Sequence, residues 1–357
     1  MEFGFSLPGR GPLASPDQIL RLAMRAEALR YTSVFVTDHV VLPASMVRST
    51  YPYAATGRLP GGADQDYLDP LALLAWLAHA TRTIKLGTSV LVVPYRNPLV
   101  TAKILATIDR LANGRLILGM GVGWLREEFE AVAAPPFEER GEVTDEYIAL
   151  MRTTWTTDPV SFEGRYYRVK DVHALPKPAQ TRIPIWIGGH TDAAVHRAAT
   201  IGDGWHPLAL RPPGLLLPDE FATKVATFRG AAKRAGRDPD ALTLSLRVGM
   251  DVRSPRQKAP GGDRALFQGT AAEVLGDIRR YADLGVSHFV FDPVVPDLKL
   301  VLANMERFAN EVRPKVSDKR TTARPSRGAP VGKARGRDVS KAPVGKRRGR
   351  GRPSGRA

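Results

Sequence analysis

Between residues 2 and 312 the chain repeats one pattern eight times: a short, almost continuously apolar run, then a longer stretch of helical periodicity. The runs are EFGFSL (2–7), SVFVTDH (33–39), IKLGTSVLVV (84–93), RLILGMG (115–121), IPIWIGG (183–189), DGWHPL (203–208), LTLSLRVGMDV (242–252) and VSHFVF (286–291). Strands apolar on both faces belong to parallel sheets covered on both sides. Helices are expected over 16–30, 69–80, 98–112, 125–157 (broken at Pro135-Pro136), 192–202, 218–235, 270–284 and 297–312. Ser15 and Pro16 are the expected cap and first turn of the first helix. SFEGRYYRV (161–169) reads as a hairpin turning at Glu163-Gly164. Eight strand–helix units close most simply into a (β/α)8 TIM barrel. An open doubly wound sheet is the alternative, but no G-x-G-x-x-G turn follows the first strand.

The length of 357 residues and the 43% apolar fraction suit one barrel with a large core. There is no cysteine, which excludes disulfides, thiolate catalysis and Cys-ligated metal. The longest apolar stretch, Pro70 to Ala78, is too short to cross a bilayer. The start lacks a basic segment leading into a long apolar run, so no membrane role is expected and the localisation reads as cytoplasmic. The net charge of +16 is local: residues 313–357 hold 16 Lys and Arg against two acids, and so carry +14. That segment reads as a disordered Lys/Arg/Gly/Pro-rich tail, which divides the chain into a barrel at 1–313 and a tail at 314–357. The tail repeats APVGKARGR (329–337) as APVGKRRGR (342–350). It suggests weak nucleic-acid binding, through nonspecific basic contacts or an Arg350-Gly351-Arg352-Pro353 core resembling a minor-groove hook.

Chemistry in such barrels gathers at the C-terminal strand ends. The second strand ends in Asp38 and His39, which point to opposite sides as neighbours on a strand do. A loop over 41–67, rich in Pro, Gly and Tyr, follows. In LGTSVLVVP the small residues Gly87, Thr88 and Ser89 interrupt a β-branched run, as a bulge or a close ligand approach requires. Gly119, Gly121 and Gly123 lie at a strand-to-helix turn. In IWIGGHTDAA, Gly188, Gly189 and His190 precede a helix start at Thr191, an arrangement that offers N–H groups to a phosphate. None of the seven histidines sits in a metal-ligand motif.

Together SVFVTDHVVLP, YPYAATGRLP, the long block from IKLGTSVLVVP to GVGWLREEFEA, FEGRYYRV and PIWIGGHTDAAVHRAATIGDGWHP resemble the luciferase-like monooxygenase superfamily. The branch most alike is the actinobacterial one that uses the deazaflavin coenzyme F420. The resemblance spans residues 1–312 and implies a flavin-like ring at the strand ends. It implies a bulge with a non-prolyl cis peptide at Ser89-Val90 against that ring. On this reading Asp38, Thr88, Ser89, Val90, Gly121, Gly123, Trp124, Gly188, Gly189 and His190 hold the cofactor. His39 exchanges a proton as hydride moves, with Asp38 tuning or orienting it. Tyr51, Tyr53, Trp76 and His206 line the site of a small organic substrate. Sugar-phosphate-oxidising relatives carry a catalytic Glu where this chain has Trp124, and Glu127 and Glu128 read as a solvated first helical turn. The resemblance further implies a homodimer. FMN with oxygen is the alternative cofactor chemistry, and a non-enzymatic DNA-associated role through the tail is the alternative of another class.

Overall fold

The computed structural model describes residues 1–210, 212–253 and 264–316. The chain divides between Ser317 and Asp318. Of the expected 314–357 tail only residues 314–316 are described, and Arg313–Lys315 forms a 3₁₀ turn; the tail readings from residue 317 on lie outside the described residues.

The strands in chain order are β1 (Glu2–Ser6), β2 (Ser33–Val36), β3 (Lys85–Val92), β4 (Leu116–Gly121), β5 (Val160–Glu163), β6 (Arg168–Val172), β7 (Ile185–Ile187), β8 (Gly204–Trp205), β9 (Leu208–Ala209), β10 (Thr243–Val252), β11 (Gln268–Gly269) and β12 (His288–Pro293). The α-helices are α1 (Pro16–Ala28), α2 (Pro70–Ala80), α3 (Pro98–Leu111), α4 (Arg126–Ala131), α5 (Arg140–Thr156), α6 (Asp192–Thr200), α7 (Pro218–Arg234), α8 (Ala271–Asp283) and α9 (Leu298–Arg307). Strands β1-β2-β3-β4-β7-β8-β10-β12 pair in parallel, and β12 returns to β1, so the sheet closes on itself. This is the eight-stranded TIM barrel that the alternating pattern predicts. The hairpin expected after α5 is β5–β6, paired antiparallel.

Local chemistry sets the element ends. Ser15, Asn97 and Thr191 cap α1, α3 and α6 through their side chains, and Thr270 with Glu273 forms a capping box on α8. The helical region after β4 breaks into α4, a 3₁₀ turn at Phe137–Glu139 and α5, as the proline pair requires. The DGWHPL run splits into β8 and β9, because Pro207 has no N–H for the ladder. The last expected helix leaves α geometry after Arg307 for a π turn at Phe308–Val312.

Outward-facing strand residues such as Phe3, Phe5, Val34 and Phe289 meet the helices in one large core. Inward-facing Phe35, Ile117, Trp186 and Val290 form a separate cluster. Phe35 and Trp186 stack at 5.9 Å although β2 and β7 are not neighbours, so this cluster plugs the lumen below the mouth. No described helix is long and apolar enough to cross a membrane.

Candidate active site

The β3 bulge forms the floor of the mouth. The register against β4 slips between Thr88 and Leu91, and the Ser89-Val90 peptide is cis, as the resemblance implies. Thr88 is fully buried and its hydroxyl donates to the Gly119 carbonyl at 2.7 Å. It therefore braces the bulge, and its burial keeps it away from the open mouth. Val90 is half-buried among buried strand residues. A Cβ on Gly121 would stand 2.6 Å from its Cγ2, and one on Gly188 2.8 Å from its Cγ1. Those glycines make room for Val90 to present a flat apolar face to the mouth.

The bulge is held from below by residues that the strand patterns do not single out. Arg247 of β10 donates to the Ser89 carbonyl at 2.6 Å and to its hydroxyl at 3.1 Å. Its other edge pairs bidentately with Asp292, both bonds 2.8 Å. A single charged residue in the buried run Leu244–Met250 of β10 is the signal that marks it. His206, expected to line the substrate site, is only 2% exposed. Its ring nitrogens lie 2.7 Å from the Ser89 hydroxyl and 2.8 Å from the Ser245 hydroxyl. It is corrected to a strut inside the barrel.

Burial, with Arg247 and His288 nearby, pushes the His206 pKa down from 6.5 to about 3. The unfolded chain therefore binds a proton that the folded one refuses as pH falls below 6.5. Stability should decline by about 1.4 kcal/mol per pH unit from this group, from pH ~6.5 toward the folded value. Urea unfolding at pH 7.0 and 5.5 checks it: His206→Gln should lessen the difference by one histidine's share, with His190 and His288, also held below 6.5, keeping the rest, and an unchanged slope would contradict the assignment.

Glu128 is fully buried and is the central correction at this site. One oxygen lies 2.6 Å from His39 Nδ1 and accepts the Tyr95 hydroxyl at 2.9 Å. The other accepts the Val40 N–H at 2.7 Å and the Val41 N–H at 3.2 Å. The glutamate thus takes the chain immediately after β2 and the imidazole together. The signal lay in helical spacing: Leu125, at the N-cap of α4, and Glu128 and Phe129 within it fall on one buried side. Glu127 is not a free solvated group either, since it accepts from the Arg48 N–H at 2.8 Å and the Ser49 hydroxyl at 2.6 Å.

Asp38 does not orient His39. Its carboxylate accepts from both ends of the Arg96 guanidinium at 2.7 and 2.9 Å and from the Val92 N–H at 2.9 Å. Arg96 continues to Asp69, the N-cap of α2, at 2.8 Å. Burial opposes the Arg96 charge, yet the two carboxylates outweigh it and raise its pKa. Burial also raises Asp38, against the pull of Arg96 and the Val92 N–H. The Asp-His neighbours divide their work: His39 turns to the mouth, while Asp38 ties the end of β2 to β3 and α2.

Above the floor runs a strip of edge-to-face rings. His39 meets Tyr67 at 5.2 Å and Trp124 at 6.0 Å. Trp124 meets Tyr51 at 5.1 Å, Tyr51 meets Tyr53 at 5.8 Å, and Tyr53 meets His190 at 5.2 Å. Five of the residues singled out in the sequence thus come together across the mouth, joined by Tyr67, which sequence reasoning passed over. Burial raises the Tyr53 pKa to about 12 and, with Lys224 nearby, lowers that of His190 to about 4, so both rings are neutral at pH 7. Trp76 does not join them: it is 37% exposed on the solvent face of α2. Gly189, at φ +106°, turns the chain into α6, and the Lys224 ammonium stands 3.9 Å from Asp192 at that helix start. Among the described residues no group of His, Asp and Glu is placed to hold a metal ion.

A closed eight-stranded barrel with a cis-peptide bulge and a buried histidine–carboxylate pair at its mouth defines a cofactor-binding TIM-barrel enzyme. The luciferase-like monooxygenase family model matches residues 1–288, and the chain belongs to that family of oxidoreductases. It is 30% identical to an F420-dependent glucose-6-phosphate dehydrogenase of Intrasporangium calvum, over 77% of this chain and 88% of that one. Among solved structures it is similar to a monooxygenase, RslO1, of Streptomyces bottropensis (TM-score 0.70, 23% identity, 88% of this chain and 99% of that one). It is also similar to an F420-dependent secondary alcohol dehydrogenase in complex with an F420-acetone adduct (TM-score 0.70, 21% identity, 89% and 99%).

Proposed function

We propose that the chain moves a hydride between coenzyme F420 and a small organic substrate at the barrel mouth. The observation that carries this reading is the buried His39–Glu128 pair after the end of β2, next to the strand whose bulge carries Val90. A flat ring would rest on the Val90 side chain, whose methyls fill the space that side chains at Gly121 and Gly188 would otherwise take. The first-turn N–H groups of α6, with Gly188, Gly189, His190 and nearby Lys224, suit the cofactor's phosphate. Bound deazaflavin would supply a hydride from carbon and react poorly with oxygen.

The protein's part is proton transfer and positioning. Glu128 accepts the Nδ1 proton of His39, which commits Nε2 to the exchange with substrate. Trp124, Tyr51 and Tyr53 give the substrate an apolar wall. Trp124 at the position of the relatives' acid supports a substrate other than a sugar phosphate. The basic tail is proposed to add weak, salt-sensitive contacts with nucleic acid, on the strength of its +14 charge.

Titration of the purified protein with F420 and with FMN, followed by cofactor fluorescence, tests the cofactor. Saturable F420 binding, weaker for the analogue lacking its phosphate, is expected. FMN binding with none for F420 would replace this reading with an oxygen-using flavin monooxygenase.

A further inference from the structure

α4 carries three carboxylates with three different duties. Phe129 anchors the helix below, packing on Tyr95 at 5.0 Å and on Phe137 at 5.1 Å. Glu128 faces inward to His39, Val40 and Val41, the root of the 41–67 loop. Glu127 faces the crest of the same loop and accepts from the Arg48 N–H and the Ser49 hydroxyl, at 2.8 and 2.6 Å. The Ser49 oxygen in turn accepts the Arg126 N–H at 2.9 Å. Arg48 adds a two-pronged pair with Glu130, but both partners are more than half exposed, so water and salt weaken it. Two residues beyond Ser49 comes Tyr51, whose ring rests on Trp124. One short helix therefore holds both His39 and the loop that carries Tyr51 and Tyr53.

We propose that Glu127 is a positioning residue: it holds the crest of the 41–67 loop so that Tyr51 and Tyr53 form the substrate wall over His39. The proposal rests on the reading of the mouth as the substrate site, but not on which cofactor occupies it. The chemistry is local. A carboxylate that accepts one backbone N–H and one hydroxyl fixes two consecutive residues, and no other acceptor of the loop crest takes those two donors. Loss of Glu127 leaves the His39–Glu128 pair untouched, so the proton relay survives while the wall loosens. Substrate binding suffers and the chemical step does not.

Glu127→Ala and Glu127→Gln test this, measured as cofactor-loaded enzyme with whichever cofactor the titration shows to bind. Trypsin cleavage after Arg58, read by intact mass, should rise about tenfold in Glu127→Ala, since a charged hydrogen-bond acceptor is removed. With cyclohex-2-en-1-one as probe substrate, KM should rise about tenfold with kcat within about twofold. Glu127→Gln keeps one acceptor oxygen and should restore most of both. Unchanged cleavage at Arg58 would overturn the proposal, whatever the kinetics. Faster cleavage with KM unchanged, or with kcat falling as far as kcat/KM, would overturn it too. Failure of the cofactor reading would show separately, as absence of F420 binding in the unmodified enzyme.

Discussion

Replacing His39 by alanine should lower kcat ~10²–10⁴-fold, the usual worth of a positioned acid–base group, while cofactor affinity stays within about threefold. The fold should tolerate the change. Glu128 keeps three donors without the imidazole: the Val40 and Val41 N–H groups and the Tyr95 hydroxyl. The apolar floor at Val90 belongs to β3 and does not depend on His39. Steady-state rates with reduced cofactor, beside a fluorescence titration, separate the two effects. Turnover within a few-fold of the unmodified enzyme would remove His39 from the proton path.

Arg96→Ala should have the largest effect on stability, a loss of about 3–5 kcal/mol. The Asp38 side chain has no solvent exposure, and the guanidinium supplies two of its three hydrogen bonds. Without it the buried carboxylate is left on the Val92 N–H alone. Asp69 loses its partner as well, but it is nearly half exposed and adds little. Arg96→Lys should recover only part, because an ammonium cannot span both Asp38 oxygens. Urea unfolding measures the loss, and a change under about 1 kcal/mol would show that Asp38 is not held ionised by Arg96.

The barrel was readable because its signal is repetitive. Eight apolar runs with helices between them leave few other closed solutions, and caps such as Ser15 and breaks such as Pro135-Pro136 mark the ends in local chemistry. The bulge was readable as well, through Gly87-Thr88-Ser89 in a β-branched strand together with the family resemblance. The partners across the barrel were harder. Asp38 and His39 are adjacent, which invites pairing them, yet their true partners lie 58 and 89 residues away. Acidic composition made Glu127 and Glu128 look like solvent-facing residues, and only the spacing of Leu125, Glu128 and Phe129 reveals the buried one. His206 follows a strand end in sequence, but the β8–β9 break turns its ring inward onto Ser89 and Ser245. Trp76 illustrates the converse: an aromatic near the mouth in sequence, placed by helical phase on the outer surface.

The most direct measurement follows the hydride itself. Reduced F420 carrying deuterium at its reacting carbon is mixed anaerobically with the enzyme and an enone. One deuterium per product molecule, with the rate lost in His39→Ala and retained in Glu127→Ala at saturating substrate, is the expected result. A reaction that requires oxygen and FMN, or a product without deuterium, would contradict hydride transfer at this site.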